Sequence, residues 1–367
     1  MKSFTTVLSC CLSLAALGQA TAQAQPAAAP AAPPPPPNCK PAEPARLAPV
    51  PAGGSPASAR DFSRPAVVTA IPGVVAEGAT WTKVWQQGGN SADGIVPDKD
   101  GNVLLAQEDY DQAIAVTPDG KVSVSVPNAW GLSSLSMDKQ GRLYGVSRTE
   151  RPGSTKAHRD QVVNAVVQLT PTRRTVADKW TDGGVLTVRP NDLSVDSNGG
   201  AYFTSGCVYY AAPAGVSVVA ENITTNGIVL SADEKTLFVT NRSGIEAFDV
   251  TGPGRLANRR TFGRIPETDS GDGIALDSEG RLYVTTVSSP KPGVHVFDRT
   301  GKYLGLIPTP RPVISLAFGR PDKKTLFVVG SGADDERGQM IRVGPQQTAA
   351  TLYKLPMLAS GMKERAK

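Results

Sequence analysis

From residue 92 onward the chain alternates short apolar runs with small polar turns. The stretch ADGIVPDKDGNVLLAQ (92–107) shows the form: an apolar run, a turn of Asp, Lys and Gly, and a second apolar run. The same shape returns in SSLSMDKQGRLYGVS (133–147), PNDLSVDSNGGAYFTS (190–205), TNGIVLSADEKTLFVT (225–240), GDGIALDSEGRLYVTT (271–286) and, more loosely, ISLAFGRPDKKTLFVV (314–329). Equivalent positions lie between 35 residues (Asn191 to Asn226) and 58 residues (Ser133 to Asn191) apart, the spacing of a repeat architecture. Runs this short, rich in Val, Leu, Tyr and Phe and bounded by turn residues, predict strands. A third strand follows in most copies, as in AIAVTPDGK and VHVFDRTGK, and then a more irregular fourth, as in VSVVAEN and YLGLIPT. Four antiparallel strands repeated six times predict an all-β, six-bladed β-propeller; stacked sandwiches would leave the regular repetition unexplained. TWTKVWQQ (80–87) precedes the first copy and has the character of a fourth strand. It is predicted to complete the last blade beside either TLYKLPML (351–358) or MIRVG (340–344), which removes an exposed sheet edge.

Before residue 61 this pattern is absent. MKSFTTVLSCCLSLAALGQATAQAQ carries one Lys, an apolar stretch ending near Leu17 and then small residues. Residues 1–25 therefore read as a signal peptide, with an apolar core too short for a good membrane span, and the protein is expected to be exported, periplasmic or secreted. Residues 26–60 are dominated by Pro and Ala and are expected to be a disordered linker dispensable to the fold, leaving 61–367 as the propeller. The net charge of +5 is scattered over 367 residues rather than gathered in a basic stripe, which sets nucleic acid aside as a partner. Outside the signal peptide only Cys39 and Cys207 remain. The two could pair, but with one of them in the linker two free or non-essential thiols are expected, and no Cys/His cluster suggests zinc. His158 falls in an insertion, RTERPGSTKAHRDQ (148–161), and reads as a solvated loop residue; His295 in GVHVFD reads as a structural strand residue. No GxSxG, Walker or Rossmann pattern stands in a supporting context.

In a propeller the first strand of each blade lines the central channel, so equivalent residues ring one end of it. The position before each first strand holds Asp93, Ser133, Asn191, Asn226, Asp272 and Ile314. In one copy, Asx-Gly before a strand is ordinary turn chemistry. Four Asx residues in register, from blades 1, 3, 4 and 5, predict a convergent set at one channel mouth. Two carboxylates and two amide oxygens gathered there call for a cation. Hard oxygen donors without His or Cys favour Ca²⁺, and admit Zn²⁺, Mg²⁺ or Mn²⁺.

At these residues the chain resembles the senescence-marker-protein/gluconolactonase/luciferin-regenerating-enzyme-like propellers, from about Pro65 to Leu358. RPNDLSVDSNGGAYFT, TNGIVLSADEKTLFVTN and GDGIALDSEGRLYVT carry the resemblance. It implies a divalent metal held by a Glu, one or two Asn and an Asp, roles that fall on Asn191, Asn226 and Asp272. It also implies substrate contacts from Asn191 and Arg189. The family's first ligand is usually a Glu in Glu-Gly-Pro. Here AEGATW offers Glu77, but the repeat register selects Asp93. The expected ligands are thus Asp93, Asn191, Asn226 and Asp272, with Asp272 also catalytic. The activity this implies is metal-dependent opening of a lactone, such as a sugar lactone, by a monomer. A phosphotriesterase-like hydrolase and a non-catalytic, metal-stabilised binding propeller are the alternatives.

Overall fold

The computed structural model describes residues 1, 39, 63–89, 92–148, 163–268, 270–287, 291–319, 322–339, 341, 349–363 and 365. The signal peptide after Met1, the linker apart from Cys39, and His158 lie outside the described residues.

Among the described residues the strands form six sheets, in the order the repeats predict. Blade 1 comprises Ala92–Pro97, Val103–Gln107, Gln112–Val116 and Val122–Val126. Blade 2 comprises Leu132–Met137, Leu143–Ser147, Ala165–Gln168 and Arg174–Ala177. Blades 4 and 5 begin with the short inner strands Ile228–Leu230 and Ile274–Leu276 and end with the outer strands Arg255–Arg264 and Tyr303–Pro308. Blade 6 takes Val313–Gly319, Thr325–Ser331 and Ala349–Pro356 from one end of the chain and Thr82–Gly88 from the other. Thr82–Gly88 pairs antiparallel with Ala349–Pro356, with Thr82 opposite Lys354 and Gly88 opposite Ala349. Of the two candidate partners, TLYKLPML is the one used.

Blade 3 has three assigned strands, Leu193–Val195, Ala201–Ala212 and Gly215–Thr225. The middle one doubles back at Gly206, whose φ is 80°. Phe203 stacks on Tyr209 with ring centroids 5.0 Å apart, and Tyr202 lies 4.8 Å from Tyr210. In a straight strand residues that far apart in sequence would be separated by more than about 19 Å, at ~3.3 Å per residue. The two halves therefore occupy the places of a second and a third strand, with residues 205–207 at the hairpin tip.

The strands read as continuous apolar runs because both faces of each blade are covered. Along Val103–Gln107, Val103 and Leu105 pack against blade 6, including Phe327 and Leu352, while Leu104 and Ala106 pack against blade 2, including Leu132 and Leu135. Among the described residues the core is six clusters, each between neighbouring blades, and the cluster between blades 1 and 6 closes the ring. The Asp that recurs at the far end of the inner strand is structural. The Asp98, Asp138, Asp196 and Asp277 carboxylates each accept two backbone N–H groups of their own turn. That end of the channel also receives the buried Arg365, whose guanidinium donates to Val195 O and to Glu234 at 2.7 Å.

His295 is buried in the third strand of blade 5, with Nδ1 3.1 Å from the Tyr303 hydroxyl. Desolvation pushes its pKa down to about 4, so the ring is neutral near pH 7. Among the described residues no helix is long and apolar enough to cross a membrane.

The expectation of two free thiols is overturned. Cys39 and Cys207 form a disulfide with Cα atoms 4.9 Å apart. Cys207 lies at the blade 3 hairpin tip, and Cys39 is buried with it in the cluster between blades 2 and 3. The Pro/Ala composition around Cys39 describes a segment that cannot build a core of its own, but it does not prevent one residue from docking in another core. Within 26–60, Cys39 is thereby tied covalently to blade 3.

Candidate active site at the mouth of the central channel

The residues that open the inner strands are brought to one end of the channel by very close packing of neighbouring blades. A Cβ added at Gly227 would lie 2.0 Å from the Asp272 carbonyl oxygen, and one at Gly94 would lie 2.3 Å from the Leu135 backbone nitrogen. Neither glycine has a positive φ. The Gly of these Asx-Gly pairs therefore admits the next blade's backbone rather than making a special turn. Threonines of the second strands stitch the same level together. Thr204 of blade 3 donates its hydroxyl to the Asn226 carbonyl, Thr240 accepts from the Asn226 amide at 3.1 Å, and Thr285 of blade 5 donates to the Ile314 carbonyl at 2.8 Å.

Asp93, Asn191, Asn226 and Asp272 are all half-buried, each at the start of its blade's inner strand. Two of them touch: Asn191 Nδ2 donates to Asn226 Oδ1 at 2.6 Å. Asp272 is placed beside Asn226 by the Gly227 contact, and its backbone N–H is fixed to the Thr285 carbonyl at 2.8 Å. Asp93 sits where the pairing of blade 1's first two strands is irregular, between Ala92 and Ile95. Arg189 is partly exposed, and its carbonyl accepts from Ser205 Oγ at 2.7 Å. Glu77 stands elsewhere. It is exposed, its carboxylate accepts the Ala70 N–H at 2.6 Å, and the neighbouring Val68, Ile71, Val74 and Val75 pack into the core cluster shared by blades 5 and 6.

Two residues of the mouth escaped the sequence reading. Glu108, in the 3-10 turn Glu108–Tyr110, follows the second strand of blade 1, and Arg148 follows the second strand of blade 2. Both are nearly buried, at 6% and 7% exposure, so their charges must be paired. Arg148 grips Glu108 with Nε at 3.0 Å and with Nη2, and reaches Asn191 Oδ1 with Nη1 at 2.9 Å. Arg189 Nη2 shares Glu108 Oε1 at 2.8 Å. The signal for them was available: each is the first residue after the second strand in its copy, VLLAQ-E and LYGVS-R. The threonines too recur in register, in YFT, FVT and YVT.

Chemically, these hydrogen bonds join two side-chain amides, Asn191 and Asn226, to two guanidiniums, Arg148 and Arg189, held by the one carboxylate of Glu108. Among the described residues no group of three His, Cys, Asp or Glu gathers as metal ligands. Any cation here depends on the asparagine oxygens as well as the carboxylates.

The sequence model of the SMP-30/Gluconolactonase/LRE-like region matches residues 136–332. A curated relative, lactonase drp35 of Staphylococcus saprophyticus, is 29% identical over 269 residues, which cover 67% of this chain and 77% of that one. Among solved structures, a gluconolactonase from Xanthomonas campestris superposes with a TM-score of 0.61 at 23% identity, covering 83% of this chain and 99% of its own. A calcium-binding protein, regucalcin, from Agrobacterium tumefaciens gives a TM-score of 0.54 at 16% identity, covering 75% and 93%. At these identities the structural likeness is one of fold.

Proposed function

The chain belongs to the SMP-30/gluconolactonase/LRE-like family, and from that premise we propose that it is a metal-dependent lactonase acting on a sugar lactone or a related ester. The observation that carries the proposal is the direct contact of Asn191 with Asn226 at 2.6 Å; Asp93 and Asp272 are assigned to the same mouth because they hold the equivalent position in their own blades. The donor set fits a hard divalent cation, Ca²⁺ first, because every candidate ligand offers oxygen. Asp93, Asn226 and Asp272 would hold it; Asn191 is the weakest donor, since its oxygen already accepts from the Arg148 cation. When bound, such an ion supplies Lewis-acid polarisation of the ring carbonyl.

The chain's own residues do the rest. Arg189 and Asn191 orient the lactone by its hydroxyls and carbonyl. Asp272 accepts a proton from water as the water oxygen bonds to the carbonyl carbon. The ring C–O bond then breaks, and the ring oxygen takes the proton back from Asp272 to leave as a hydroxyl. Water plus lactone gives one hydroxy acid, with no other reactant. The Cys39–Cys207 disulfide supports an exported location, where such bonds persist.

Acid release followed by pH-stat separates the readings of this site. The expected result is catalysed opening of five- or six-membered sugar lactones, well above any turnover of a matched phosphotriester panel. Turnover of the phosphotriesters alone would replace this reading with the phosphotriesterase-like one. Binding of metal without turnover of either panel would leave a binding propeller.

A further inference from the structure

Glu108, Arg148, Asn191 and Asn226 belong to four successive blades, yet one chain of hydrogen bonds runs through them around the channel mouth. We infer that Glu108 and Arg148 are positioning residues: they fix the orientation of the Asn191 amide, and through it the atom that Asn226 presents. The kinetic arm of this inference rests on the lactonase reading; the orientation itself does not.

Donor and acceptor chemistry sets each orientation in turn. A guanidinium can only donate, and its planar fork engages a carboxylate along one edge while other N–H groups point away. Glu108 takes one edge of Arg148, which leaves Nη1 directed at blade 3. The atom of Asn191 facing Nη1 must then be its oxygen, so its NH₂ group must face blade 4. That NH₂ donates at 2.6 Å, so the atom of Asn226 facing it must also be oxygen. Each amide orientation is dictated by the neighbour before it. An amide oxygen has two lone pairs, and Asn191 engages one of those on Asn226 Oδ1, in the residue whose neighbour Gly227 packs on the Asp272 backbone. Without Arg148, Asn191 loses the contact that distinguishes its oxygen from its nitrogen, and Asn226 can turn its NH₂ inward. A buried ion pair gives little net stability, so orientation is a better reason for its presence than stabilisation.

The test uses the full chain and two readouts. The first is the side-chain amide spectrum of ¹⁵N-labelled, metal-free protein, with the Asn191 and Asn226 signals assigned by their loss in Asn191→Leu and Asn226→Asp. Glu108→Gln and Arg148→Lys are expected to move the Asn226 signal, although neither substituted residue touches Asn226. The second is a double-mutant cycle on kcat/KM for a lactone. Glu108→Gln is expected to lower it roughly 10- to 100-fold in the wild-type background, the usual cost of losing a group that orients a ligand. In the Asn191→Leu background, where the chain is already cut, it should cost clearly less, what remains being the loss of the Glu108 contact to Arg189 at 2.8 Å. A thermal midpoint that falls equally in both backgrounds accompanies this result, because the stability role of Glu108 does not pass through Asn191. If Arg148→Lys does not fold, the isosteric Glu108→Gln carries both arms. An Asn226 signal unmoved by Glu108→Gln, or an equal kinetic loss in both backgrounds, overturns the relay. Moved amide signals in a protein that opens no lactone uphold the relay and remove the lactonase reading instead.

Discussion

Asp272→Asn is expected to slow lactone opening by ~10²–10⁴-fold at saturating metal, the usual worth of a general base. The substitution is nearly isosteric and keeps an amide oxygen that can face a hard cation. It removes the negative charge and the proton-accepting carboxylate. The fold should tolerate it, because Asp272 is anchored through its backbone, by the N–H to Thr285 and by the carbonyl packed on Gly227. Metal affinity should fall as well, so the rate must be compared at several metal concentrations. A rate that recovers as metal is raised would make Asp272 a ligand only. Wild-type affinity together with wild-type rate would make it a turn residue and remove the site from this mouth.

Loss of the Cys39–Cys207 bond is expected to destabilise the protein by about 2–5 kcal/mol, because the bond closes a very long loop in the unfolded chain. The two cysteines are 168 residues apart in sequence, near the upper end of that range by loop length. Cys207→Ser should lower the thermal unfolding midpoint by several degrees, and reductant should do the same to the wild type but not to the variant. The site should feel it too. Ser205 at the same hairpin tip holds the Arg189 carbonyl, and the Cys207 carbonyl accepts from Thr225, next to Asn226. KM for a lactone should therefore rise on reduction. A reductant-insensitive midpoint would show that the bond contributes nothing to stability.

The architecture was legible because it is written locally and repeatedly. Each copy holds its own strands and turn, and both faces of a strand such as Val103–Gln107 are apolar, so the blades stand out without any knowledge of contacts. Ring closure was legible from one leftover strand, Thr82–Gly88, although its partner was not. The four Asx positions follow from the same register. What the register could not convey is pairing at a distance. The Arg148–Glu108 pair joins residues 40 apart, and each looks like an ordinary charged residue at the end of a strand. Cys39 was misjudged because composition averages over a segment, whereas a disulfide depends on where a single residue docks. The Asx-Gly pairs were visible, but their cause was not: Gly227 is required by the neighbouring blade's carbonyl, a contact with no trace in its own repeat.

Lactone opening at the channel mouth is proposed to depend on a cation held by Asp93, Asn226 and Asp272. It is tested most directly by stripping the purified protein with chelator and following acid release from a sugar lactone, before and after Ca²⁺, Mn²⁺, Mg²⁺ or Zn²⁺ is added back. The expected result is a rate near background in the stripped protein, restored saturably by at least one of these ions, and not restored at comparable concentrations in Asp93→Ala. A stripped protein that keeps its full rate, or a lactone rate that stays at background whichever ion is supplied, would contradict it.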